Sequence, residues 1–442
     1  MLAAVLLIIF LLVVIVGVPI SFAMGFMTIS AFTIGNGAMV IIPQKMFSGV
    51  YNFTYMCIPL FILASEIMSR CGLTMSIVKF CDTLVGHIRG GLAHVNILAS
   101  MLFAGISGSA TADASGLGRI EMEMMTKAGY TKEYSAAVTA ASAIIGPIIP
   151  PSNIMIIYAV CASNVSVSAM FLGGIMPGIV LGLAEMLLCY YFARKYNHPC
   201  RARRSSAREV LHSFKRSLPA LGLPIIILGG IVSGVFTATE SSAVAVFYAL
   251  IVAICKRQIT WKSLVECCKN TAKTTANVML IISIASAMSY AITVLRIPQA
   301  MVEVCMKYVN SPAVFLLLVN LILLILGCVL DQSPALLMMT PILLPIAMKY
   351  GIDPVHFGVL CCFNLTVGLI SPPIGMTLFV TANVAKVKLT DLFKQIIPFV
   401  LVGLAVLMLI TWVPALTTFI PVSYTTSPSP RDRQKSRMPS SA

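Results

Sequence analysis

Charge is what this sequence has least of: only 10% of its 442 residues are Asp, Glu, Lys or Arg. Soluble domains carry about a quarter, so a water-soluble globule is excluded. Histidine is sparse as well, and all five (His87, His94, His198, His212 and His356) fall at or near predicted loops or segment ends. None suggests a proton relay. The 13 cysteines include no CxxC and no metal-type Cys/His spacing, HExxH and GxGD are absent, and no basic residue precedes Lys45. A zinc module, those two kinds of protease motif and a cleaved signal peptide are therefore not supported.

What is present is apolar: 59% of the side chains, with a mean hydropathy of +0.97. A bilayer core takes about 20 apolar residues per helix, so the length allows on the order of a dozen membrane segments. The formal charge of +15 would suggest nucleic acid in a soluble chain. Here no nucleic-acid binding is expected, because basic residues clustered between apolar segments mark cytoplasmic loops.

Apolar segments fall at 2–16, 18–42, 53–69, 91–127, 134–162 and 169–193, then at 218–235, 240–255, 274–295, 311–348, 359–385 and 395–420. Between the two sets, 194–216 holds eight basic residues against one acid, Glu209, and reads as a cytoplasmic linker. Counting outward from it keeps Lys79, Arg89, Lys127 and Lys132 inside, with Lys256, Arg257, Lys262, Lys386, Lys388 and Lys394. The count requires 91–127 and 311–348 to be re-entrant hairpins, and both are broken mid-way, by GISGSATAD at 105–113 and DQSP at 331–334. Each half then has five crossings and one hairpin, so the halves, 1–193 and 217–421, are inverted. Sliding the chain by 222 residues superposes Gly105 on Gly327, Ser109 on Asp331, Gly146 on Gly368 and Pro150–Pro151 on Pro372–Pro373. The expected fold is an all-α polytopic membrane protein of two inverted-topology repeats, each with a re-entrant helical hairpin and a discontinuous helix, ending in a disordered Pro/Ser-rich tail at 422–442.

Chemistry concentrates in the breaks. IIGPIIPPSN at 144–153 and VGLISPPIG at 367–375 put a Gly and a Pro pair inside apolar helices 134–162 and 359–385. Proline has no N–H, so Pro150 and Pro151 release the carbonyls of Gly146 and Pro147, and Pro372 and Pro373 those of Gly368 and Leu369. Bare carbonyls in hydrocarbon call for a partner, and a small cation such as Na+ supplies one. The tips add Ser107, Ser109, Asp331, Gln332 and Ser333. Asp113 and Asp331 are acids at membrane depth, either functional or helix caps. The amides of GISGS at a half-helix N-terminus suit an anionic substrate; Asp113, Asp331 and Ser152 are candidates for touching it. Glu240, after Thr237 and Thr239, reads as a first-turn acid at a capped helix start. GISG at 105–108 also matches the GxSG string of rhomboid-type proteases, but no later histidine sits mid-segment to serve as base.

Together GVPISFAMG (17–25), FAGISGSATADASGLG (103–118), IIGPIIPPS (144–152), FTATESSAVAVFYAL (236–250), LDQSPALLMMTPILLPI (330–346) and GLISPPIG (368–375) resemble the large membrane subunit of tripartite ATP-independent periplasmic (TRAP) transporters, the DctM-like subunit, over about residues 1–421. The resemblance implies an elevator-type importer in the bacterial inner membrane. It would be driven by Na+ and work with a separate small four-helix membrane subunit and a periplasmic substrate-binding protein that captures an organic acid. Carried over by motif, one Na+ site falls at Ser107, Ser109, Gly146, Ile149 and Pro151, the other at Gly327, Gly368, Ser371 and Ile374. Ser371 stands where the family usually has Thr, and the tail after about 422 matches no family motif. The alternative is a stand-alone Na+/dicarboxylate symporter needing no binding protein.

Overall fold

The computed structural model describes residue 13 and residues 18–34, 37–162, 165–200, 203–257, 259–309 and 311–426. The expected first membrane helix at 2–16, apart from residue 13, and the tail beyond 426 lie outside the described residues. Among those residues every regular element is helical, as the apolar runs demand. α1 (Ile20–Ile34) and α2 (Ile41–Val50) lead through a 3-10 turn at Phe53–Met56 into α3 (Cys57–Arg70) and α4 (Thr74–Val85). The first hairpin follows, with α5 (Gly91–Ser107) as one arm and α6 (Ala110–Ser115) plus α7 (Leu117–Lys127) as the other. α8 (Lys132–Ala143) and α9 (Asn153–Cys161) are the pieces of the first broken helix. α10 (Val167–Lys195) and α11 (Ala207–Val232) flank the basic stretch, and α12 (Ala238–Cys255), α13 (Trp261–Val294) and α14 (Ile297–Tyr308) come next. The second hairpin is α15 (Pro312–Val329) and α16 (Gln332–Lys349), and the second broken helix is α17 (Pro354–Gly368) and α18 (Met376–Ala385). α19 (Leu389–Trp412) and α20 (Ala415–Thr426) complete the chain that is described.

Seven helices among the described residues are long and apolar enough to cross a bilayer. Several keep large apolar side chains on the outside, such as Leu321 and Ile325 of α15 and Leu401 of α19. Hydrocarbon accepts such faces as readily as protein does. The inward faces are small: Ala136, Ala137, Ala140, Ala141 and Ala143 of α8 are all buried, which lets helices approach closely. Helix starts recur at the expected offset. α6 and α16 begin at 110 and 332, α8 and α17 at 132 and 354, and α10 and α19 at 167 and 389, each pair 222 apart.

Two local expectations change and one holds. The stretch 194–216 is not linker throughout, because Arg194 and Lys195 finish α10 while Arg208, Lys215 and Arg216 lie in α11. Ser206 and Glu209 form a reciprocal capping box there, a strong local start signal. Two helices, α4 and α14, occur where no apolar segment was expected; both are 12 residues long and carry charges, Lys79 and Asp82 in one, Glu303 and Lys307 in the other. The start of α12 is capped as expected, by Thr237 rather than Thr239, with Glu240 closing the box.

Buried side-chain hydrogen bonds tie each hairpin to a broken helix. Asn96 of α5 donates to Thr139 Oγ1 of α8 at 2.8 Å, and Ser142 of α8 donates back to Asn96 Oδ1 at 2.6 Å. In the second half Asn364 of α17 donates to Asn320 Oδ1 of α15 at 2.9 Å. Ser142 and Asn364 are themselves 222 residues apart. The distal pieces cross over: α9 packs on α16, and α18 packs on α6 and α8.

Candidate ion and substrate site

Both helices break where the proline pairs stand. α8 ends at Ala143 and α9 starts at Asn153; α17 ends at Gly368 and α18 starts at Met376. Each proline pair is joined by a cis peptide bond. The hairpin tips lie against these breaks. Gly108 turns the first tip with φ +60°, and a Cβ there would collide with the Pro151 carbonyl oxygen. Gly105, one turn back, faces Pro150 O at 3.6 Å from its ideal Cβ position.

The first break gathers oxygen. Ser107 Oγ donates to Asp113 Oδ1 and accepts from Ser109 N at 3.3 Å, while Ser109 Oγ pairs with Thr111 Oγ1 at 3.3 Å. Asp113 is 1% exposed, and its Oδ2 has no hydrogen-bond partner among the described residues. That oxygen stands against Gly146, where a Cβ would overlap it. The Gly146 carbonyl likewise receives no donor among the described residues. A buried carboxylate oxygen with nothing to satisfy it is costly, and a protein holds one at membrane depth for a cation or a proton. Asp113 does not cap a helix, since α6 has no side-chain cap.

The accounting of freed carbonyls is corrected at the other three positions. Pro147 O accepts from Ser152 Oγ, Gly368 O from Ser371 N at 3.0 Å, and Leu369 O from Thr377 N at 3.1 Å. A hydroxyl just after the first proline pair, an amide just before the second and an amide from α18 supply what the prolines withhold. Each of these oxygens keeps a second lone pair, but only Gly146 is left bare. Ser152 is buried and caps α9 by accepting from Met155 N at 3.4 Å, so its hydroxyl serves the backbone.

In the second break Gly327 and Gly368 meet backbone to backbone: a Cβ on Gly368 would lie 2.6 Å from Gly327 Cα. Gly375 N donates to Cys328 O at 3.1 Å, pinning the tip to the break. Ser371 is buried and its Oγ donates to Val367 O at 3.0 Å. Asp331 sits at the N-cap of α16 without a side-chain capping bond. Ile149 packs on Gly178, and Ile374 is exposed. Thr377 was not among the candidates; it is fully buried, and its Oγ1 has no partner among the described residues. Its position one residue into α18 was the only signal in the sequence.

Oxygen donors of this kind suit hard cations. Among the described residues no cluster of three His, Cys, Asp or Glu offers a transition-metal site. Ser107 bonds to Asp113 and Ser109, not to a histidine, so no nucleophile–base pair forms.

The model of the DctM component of tripartite ATP-independent periplasmic transporters matches residues 7–416. The chain belongs to this family. This permease is 38% identical over 407 residues to the sialic acid TRAP transporter large permease protein of Vibrio cholerae, covering 92% of this chain and 95% of the other. It is 40% identical over 377 residues to the 2,3-diketo-L-gulonate TRAP transporter large permease protein of Escherichia coli, covering 85% and 88%. Its fold is shared with the Alcanivorax borkumensis YdaH transporter at a TM-score of 0.65 and 13% identity, over 84% of this chain and 87% of that one. It is a transporter permease of the bacterial inner membrane and not an enzyme.

Proposed function

We propose that this permease imports a small organic acid by secondary transport coupled to Na+, receiving the acid from a periplasmic binding protein and working beside a small four-helix membrane subunit. One observation carries the ion coupling: the unpartnered Asp113 Oδ2 stands beside Gly146 in the middle of a broken helix. A Na+ ion there would take Asp113 Oδ2 and the Gly146 carbonyl as ligands, with Ser107, Ser109 and the carbonyls of Ile149 and Pro151 around them. The second break has Gly327, Gly368, Ser371 and Ile374 at the corresponding place; there Gly368 O already accepts from Ser371 N, which leaves that carbonyl one lone pair for an ion. Binding of Na+ at the first break would neutralise Asp113 and let the hairpin tips close over an anionic substrate, which an elevator motion would then carry across. Asp331 and the amides at the tips are proposed to face that anion, whereas Ser152 is occupied as a cap.

An acid substrate accords with what relatives carry, since sialic acid and 2,3-diketo-L-gulonate both appear in their names. The stand-alone Na+/dicarboxylate symporter is the second reading, favoured by nothing beyond the shared fold. Uptake into vesicles with the permease, its membrane partner and a loaded binding protein tests both. Transport should stop when K+ replaces Na+, and equal transport in K+ rejects the coupling; transport of free acid without a binding protein would favour the second reading.

A further inference from the structure

Away from the breaks, a cavity of about 420 Å³ opens where α2 and α13 meet the end of α9 and the arm α16. Its lining holds one formal charge, Lys45, and no carboxylate. Lys45 Nζ stands 4.4 Å from the centroid of the Tyr290 ring. An aromatic face steadies an ammonium without neutralising it, and no acid within salt-bridge distance of Lys45 occurs among the described residues. The rest of the lining includes neutral hydrogen-bonding groups: Ser286 and Ser289 of α13, with Ser48 and Asn52. The wall is built, not incidental: Ser283 donates to Met46 O at 2.9 Å, and Gly49 is the only residue type that fits against Ser286. The floor is Cys161, the last residue of α9, with Leu337 and Pro341 from the middle of α16.

Counting crossings from the basic linker puts α2 and the end of α13 on the extracytoplasmic side, where short loops avoid lysine. Lys45 is nevertheless the first basic residue of the chain, placed in a cavity with no counter-ion. One unneutralised ammonium in a cavity lined with hydroxyls and an amide is the complement of a solute with one carboxylate and several hydroxyls.

We propose that this cavity is an extracytoplasmic receiving site for a hydroxylated carboxylate, held by its acid group on Lys45 Nζ and by its hydroxyls on Ser286, Ser289 and Asn52. The inference rests on the importer reading above and deepens it by naming where the solute first rests on the permease. It requires neither Na+ nor movement of the hairpins.

The test uses the full chain in liposomes in K+ buffer, so that failure of sodium coupling leaves it untouched. Lys45 is labelled from outside with a membrane-impermeant amine-reactive ester, and its modification is followed by mass spectrometry with Lys307 as reference. Gluconate or N-acetylneuraminate should slow labelling of Lys45 several-fold and leave Lys307 unchanged; sorbitol, or sulfate at equal ionic strength, should protect neither. Ser289→Leu should abolish the protection while Lys45 still reacts in the absence of acid. Labelling unaffected by both acids, slowed equally by sulfate, or still protected in Ser289→Leu would overturn the proposal.

Discussion

Replacing Gly368 by alanine is the sharpest test of how the second break is held. The added Cβ would stand 2.6 Å from both Gly327 Cα and its carbonyl carbon, and 3.1 Å from its oxygen. Carbon atoms rest at about 3.5–4.0 Å, so α15 and α17 must part by about 1 Å. No flexible side chain lies in the way to absorb it. Overpacking of this kind costs about 1–3 kcal/mol. It would also pull on the Gly375–Cys328 bond that fixes the tip. Gly229, inside α11, is the control, because a Cβ there meets nothing within 4 Å; alanine at that position should be neutral or stabilising by about 0.5–1 kcal/mol. Both variants are measured by membrane yield, thermal unfolding in detergent and uptake with partner subunits. Gly368→Ala should insert, unfold earlier and fail to transport, whereas Gly229→Ala should match the parent. Normal uptake by Gly368→Ala, or equal damage from both, would refute the reasoning.

Asp113→Asn keeps the shape and the bond from Ser107 but removes the charge beside Gly146; losing one member of a buried ionic contact costs about 2–5 kcal/mol, so the Na+ concentration for half-maximal uptake should rise at least about tenfold. An unchanged Na+ dependence would dismiss Asp113 as a ligand. Asn364→Leu strips the donor from Asn320 O and Oδ1 and should lower unfolding stability by about 1–3 kcal/mol, with Na+ affinity the comparison that separates packing from binding. Glu240→Ala opens the α12 capping box and should cost about 0.5–2 kcal/mol without altering transport selectivity. His198, packed 4.7 Å from the Tyr134 ring and 4.9 Å from Tyr130, is pushed below its ordinary pKa by burial. The unfolded chain therefore takes up a proton first, near pH about 6.5, and stability falls as pH drops through that value. His198→Gln should flatten that slope in a pH series of melting curves.

The breaks and the hairpin tips were legible because proline and glycine act through backbone chemistry that holds in any surroundings. Thr237 and Glu240 were legible for the same reason, as a cap is a contact within one turn. The helices α4 and α14 were not, because a search tuned to long apolar runs passes over 12 residues carrying Lys79 and Asp82 or Glu303 and Lys307. The carbonyls of Pro147, Gly368 and Leu369 were misjudged in kind. Subtracting a proline's missing N–H is sound arithmetic for the bond four residues on, but Ser371 N reaches Gly368 O as a tighter three-residue turn before the prolines, and Ser152 and Thr377 approach only once the chain has folded past them. Asp113 was visible as an acid, while its bare oxygen beside Gly146 depends on the hairpin being laid across the break.

The crossing of α9 onto α16 and of α18 onto α6 and α8 has a consequence for biogenesis. As the ribosome delivers the N-terminal portion, the segment Asn153–Cys161 can pack on Val167–Lys195 but lacks its other partner, Gln332–Lys349, which begins about 170 residues later. A chain truncated in the basic stretch would leave that strut packed on one side only, and two separately made portions would have to clasp one another before either could close.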